Sequence, residues 1–167
     1  MIEIVRNIVR FIVLILLQVL LFNRIEISTF LNPLIVIYFL IAMPFNTHKS
    51  MLLIASFLMG FIIDMFMNTM GILSFTFVLI AYFRPLILQI IQPREGYSLG
   101  DLPRATDLGW FWFLKYSTTI IILFNLVYFV IIGFSQDNLL IMLWKTIISS
   151  VFTLFFVIII QLFSYKK

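Results

Sequence analysis

Residues 56–83 read SFLMGFIIDMFMNTMGILSFTFVLIAYF. Two apolar runs flank an uncharged turn, Asn68-Thr69-Met70-Gly71, where Gly71 can take a positive φ. A single charge, Asp64, interrupts them. A membrane-crossing helix needs about 20 mostly apolar residues, and each run approaches that length. The stretch therefore reads as a hairpin of two spanning helices, at about 50–67 and 71–91.

The rest of the chain follows the same pattern. It has 167 residues, 63% of them hydrophobic and only 11% charged, with a mean hydropathy of +1.19. A soluble domain is usually about a quarter charged, and so few charges cannot cover a globule. A soluble enzyme, a nucleic-acid-binding domain and a disordered regulator are all excluded on this ground. The net charge of +4 is no nucleic-acid signature, because the basic residues are scattered at membrane edges. With no cysteine there is neither disulfide nor thiolate chemistry. The lone histidine, His48, reads as a solvated loop residue, and no cofactor or metal is expected.

Charged and turn-forming residues divide the chain into six apolar blocks. Helices are expected at about 5–22, 29–45, 50–67, 71–91, 111–134 and 139–164. The fold class is an all-α integral membrane protein, one transmembrane domain over 1–167 built as a six-transmembrane-helix bundle. Asn23-Arg24-Ile25-Glu26 and Ser135-Gln136-Asp137-Asn138 are polar turns, and Asn46-Thr47-His48-Lys49 follows Pro44. The long connector, 92–110, carries Pro93, Gly96, Gly100, Pro103 and Gly109 among its charges.

Lys and Arg set the orientation. With the N-terminus inside, Arg6, Arg10, Lys49, Arg84, Arg94, Arg104, Lys115, Lys166 and Lys167 fall on or near the inner side, and only Arg24 and Lys145 face out. Both termini are thus expected in the cytoplasm, with Trp110 and Trp112 in the inner aromatic belt. No small-residue cleavage site follows the first apolar run, so the first helix is expected to be retained.

A carboxylate inside a spanning helix costs about 2.5–3.5 kcal/mol on insertion scales, so Asp64 should face protein or a partner charge. Ser56, Gly60, Asp64 and Asn68 recur every four residues and form one stripe, with Gly71 beyond it. Ser56 and Gly60 make a small-xxx-small pair suited to close helix approach, either within the bundle or against a partner. Counting residues from the outer turns puts Lys145 near the depth of Asp64, which predicts an intramembrane ion pair between the third and sixth helices. Arg84, just before Pro85, reads as a side chain snorkelling to the cytoplasmic headgroups, or as a contact to the inner connector. Glu3, Arg6, Asn7 and Arg10 form an amphipathic turn at the cytoplasmic interface, suited to anionic lipid or a docking partner. Phosphate-cradling, zinc-protease and nucleophile-elbow motifs are missing, so no catalytic residue is expected.

Gly60-Phe61-Ile62-Ile63-Asp64, then Gly71 and an apolar helix, resembles the characteristic segment of the MreD family of rod shape-determining membrane proteins. Gln18 and Phe22 in the first helix, Asn32-Pro33 opening the second, and the chain length are similar to that family as well. The resemblance implies a non-enzymatic scaffold of the bacterial cell-wall elongation complex in the cytoplasmic (inner) membrane. It implies MreC as partner, RodA and a class B penicillin-binding transpeptidase reached directly or through MreC, and MreB on the cytoplasmic side. It also implies a bundle resembling the substrate-binding subunits of energy-coupling-factor vitamin transporters. Such a subunit is the alternative function. Those proteins carry an Ala-x-x-x-Ala docking surface on helix one, whereas residues 8–22 contain no alanine.

Overall fold

The computed structural model describes residues 2–22, 33–93, 96–97, 102–133 and 138–165. All secondary structure among them is helical. The expected turns at 23–26 and 135–137 lie outside the described residues, as do Arg94, Lys166, Lys167 and part of the 92–110 connector.

The hairpin of 56–83 forms as read. Helix α3 spans Lys49–Met67 and α4 spans Ile72–Ile90. The reversal between them uses left-handed backbone at Asn68 (φ 53°), Met70 (φ 49°) and Gly71 (φ 91°). Asn68 tolerates that region better than most side chains, and Gly71 adopts it without steric cost. Helix α6 is Trp110–Gly133 and α7 is Leu139–Tyr165, both close to expectation. These four helices are long and apolar enough to cross a membrane. The chain is therefore a multi-pass membrane protein. Half of α4 and of α6 is buried but only a third of α3 and of α7, so α4 and α6 form the central pair. Helix α3 packs along α4, and α7 along α6.

The first two expected helices differ from the reading. Helix α1 is Ile2–Leu17, and a five-residue π turn, Gln18–Phe22, widens its end. Its apolar stretch, Asn7–Leu20, is shorter than a full span. The helix expected at 29–45 is described only from residue 33, and only Ile37–Ile41, α2, is α-helical. Ahead of α2 the chain makes tighter i→i+3 bonds: Ile37 N–H to Leu34 O, Tyr38 N–H to Ile35 O and Phe39 N–H to Val36 O. Yet this broken segment is the most deeply placed of all, because every residue from 33 to 43 is buried. It lies against α1 and α6. Among the described residues, four helices reach full spanning length. A short helix, α5 (Ala105–Leu108), precedes α6 in the connector.

Candidate functional site

Interrupted backbone inside a membrane protein must find hydrogen-bond partners within the protein. Three sets of buried polar side chains supply them here.

The first set closes the α3–α4 hairpin. The N-cap of α4 is Gly71, which has no side chain to cap the free N–H groups of the first turn. Asp64, three residues before the end of α3, does so instead. One oxygen, Oδ1, accepts from Leu73 N–H at 3.0 Å and from the Thr69 hydroxyl. The other, Oδ2, accepts from Ser74 N–H at 2.7 Å and from Ser74 Oγ at 2.5 Å. The carboxylate also sits at the positive end of the α4 dipole. Gly60, one turn earlier on α3, allows this approach. A methyl there would lie 2.5 Å from Ser74 Cα and 2.6 Å from Ser74 N.

These bonds account for the burial of Asp64 without recourse to the expected pairing with Lys145. The four hydrogen bonds described for the Asp64 carboxylate go to the start of α4 and to the turn, and α3 runs along α4. Lys145 is half-buried on α7. The stripe divides accordingly. Ser56, Gly60 and Asp64 are buried on α3, Asn68 is an exposed left-handed C-cap, and Gly71 begins α4. Gly60 is covered by the chain's own backbone, so it offers no surface to another protein.

The second set holds the buried 33–43 segment. The Gln18 side-chain amide grips its start, with Nε2 donating to Pro33 O at 3.3 Å and Oε1 accepting from Ile35 N–H at 3.0 Å. At its end, Arg10 donates to Ala42 O at 2.9 Å, and Arg84 Nη2 donates to Met43 O. Gln18 meets residues 33 and 35 while Arg10 meets 42, so the segment runs antiparallel to α1. Midway, Tyr38 donates to Gln161 Oε1 of α7 at 3.1 Å. The Arg10 guanidinium also lies 5.7 Å from the centre of the Tyr38 ring. Arg10 is thus half-buried and tied to the end of the 33–43 segment. Glu3 and Arg6 lie on α1, but their side chains are outside the described residues.

The third set lies at the Arg84 end of the bundle. Arg84 is only 2% exposed, so it does not snorkel. Its Nε donates to Tyr116 Oη at 2.8 Å, and both of its partners are neutral oxygens. Tyr116 stacks on Trp112, which meets Tyr97 and Phe45 edge-on. Trp112 Nε1 donates to Ile91 O at 3.1 Å, and the Tyr97 hydroxyl donates to Leu88 O at 2.8 Å. These are carbonyls of the final turn of α4, which has no helical donor for them. Trp112 therefore serves as a buried cap instead of a lipid-facing belt residue. Burial pushes the Tyr97 phenol above the usual tyrosine range, which preserves its donor proton.

Gln18, Tyr38, Tyr97, Tyr116 and Gln161 were not read from sequence as interacting residues. The signal for Gln18 and Gln161 was present, since each is an isolated amide in an apolar run, as Asp64 is an isolated acid. Asn125 of α6 is similar, donating to Ser150 Oγ of α7 at 3.0 Å. Among the described residues no group of three or more His, Asp or Glu side chains could hold a metal. Compared with family models, curated proteins and solved structures, the chain gives no match.

Proposed function

We propose that the protein is a non-enzymatic membrane scaffold of the bacterial cell-wall elongation complex, similar to MreD. It binds MreC, and with it supports RodA and its class B penicillin-binding transpeptidase. MreB lies on the cytoplasmic side. On this reading the chain crosses the inner membrane six times, the buried 33–43 segment belonging to the second pass, and both termini are cytoplasmic.

The observation that carries the reading is where the buried polar side chains go. Gln18, Asp64, Arg84 and Trp112 all close on the chain's own backbone. They brace a bundle whose outward faces are apolar. The family likeness gains support because Gly60, Asp64 and Gly71, the residues that carry it, work together in one hairpin. Association in lipid then rests on shape-matched packing and a few hydrogen bonds. Depleting the protein from growing cells of its host tests this function. The expected outcome is widening or rounding of the cells with reduced wall insertion along the cylinder. Unchanged shape combined with lost vitamin uptake would point to a transporter subunit.

A further inference from the structure

The two central helices leave a groove of about 480 Å³ between them on the lipid-facing side. Its α4 wall runs from Leu79 to Ile91, and its α6 wall from Val127 back to Lys115. The helices are antiparallel, so the Ile91 and Lys115 ends coincide. Phe83, Leu86 and Leu123 are among the exposed apolar residues that line it. Only Lys115 and Thr119 are polar in the lining, and the Thr119 hydroxyl donates to Lys115 O at 2.8 Å. The groove is thus an apolar channel with one exposed cation at one end.

We propose that this groove holds an acyl chain of an anionic phospholipid, with the lipid headgroup at Lys115. Three features select that occupant. The first is length: twelve residues of helix rise about 18 Å, and one leaflet of the hydrocarbon core is about 15 Å deep. The groove therefore runs from the interface to near the bilayer midplane, the path of one acyl chain. The second is charge, because the cation stands at the headgroup end, where an anionic phosphate lies. The third is the character of the walls. A transmembrane helix of a partner approaches closely over Gly, Ala or Ser, whereas these walls carry Phe83, Leu86, Ile90 and Leu123. Large branched side chains with a gap between them suit a thin flexible chain.

The test is native mass spectrometry of the full-length, delipidated protein titrated with phosphatidylglycerol or with phosphatidylcholine of identical acyl chains. The wild type should retain one phosphatidylglycerol about fivefold more strongly, the preference a single interfacial cation provides. Lys115→Glu should abolish that preference, and Lys115→Arg should keep it. Leu123→Trp, which fills the groove, should remove the tight site for both lipids. Lys49→Glu, which reverses an exposed lysine elsewhere, should change neither result. Equal binding of the two lipids would overturn the proposal. So would a preference that survives Lys115→Glu, or a tight site that survives Leu123→Trp. Thermal unfolding in detergent separates loss of the site from loss of the fold.

Discussion

At position 64 a carboxylate buried in an apolar bundle does the work that an N-cap side chain does in a soluble protein. The cap of α4 must be glycine, because the turn holds that residue at φ 91°. The capping oxygens therefore come from the preceding helix. Asp64→Asn replaces one acceptor by a donor that faces donors, and leaving such groups unpaired costs about 1–3 kcal/mol. Thermal unfolding in detergent should register that loss, and an unchanged midpoint would contradict the capping role. Gly60 is the steric counterpart. Gly60→Ala pushes a methyl into the backbone of Ser74, and overpacking of this kind costs about 1–3 kcal/mol. The exposed Met65→Ala should be close to neutral in the same assay. Equal effects from the two substitutions would mean that the helices can move apart freely.

At the scale of the elements, each interrupted helix is completed by side chains from its neighbours. Helix α4 is capped by Asp64 at one end and by Tyr97 and Trp112 at the other. The 33–43 segment is held by Gln18 at one end and by Arg10 and Arg84 at the other. Gln18→Leu strips partners from Pro33 O and Ile35 N–H together, at about 1–3 kcal/mol for each buried group. Hydrogen exchange in detergent should quicken first around residues 33–39, whereas the exposed Gln89→Leu should leave it unchanged. Uniform protection in the Gln18 variant would count against the clamp. The α3, α4, α6 and α7 helices were legible because hydropathy and turn residues report length and ends directly. The second element was not. Its apolar residues promise a long helix, and its shortening depends on contacts with Gln18, Arg10 and Arg84 that sequence proximity does not reveal. The same reason explains Asp64 and Arg84. Each was visible as an anomaly, but their partners, the N–H groups at the start of α4 for Asp64 and Met43 O with the Tyr116 hydroxyl for Arg84, carry no mark in the sequence.

At the scale of the whole molecule, the bundle is braced within and apolar without. Its two ends are defined by Asn46 near Lys49 and by Met70 in the α3–α4 turn, both exposed. The chain has no cysteine, so single replacements can be labelled without background. With the N-terminus inside, Met70→Cys should react with an impermeant maleimide in intact cells, and Asn46→Cys only after permeabilisation. Labelling of both from one side would refute α3 as a membrane span. On the proposed function, such a bundle acts by holding other membrane proteins. The most direct measurement is purification of the tagged chain in mild detergent from its native membrane, with identification of the proteins bound at fixed stoichiometry. The expected result is MreC, with RodA and its transpeptidase in lower yield. Recovery of a membrane coupling protein with ATPase subunits, and no MreC, would contradict it.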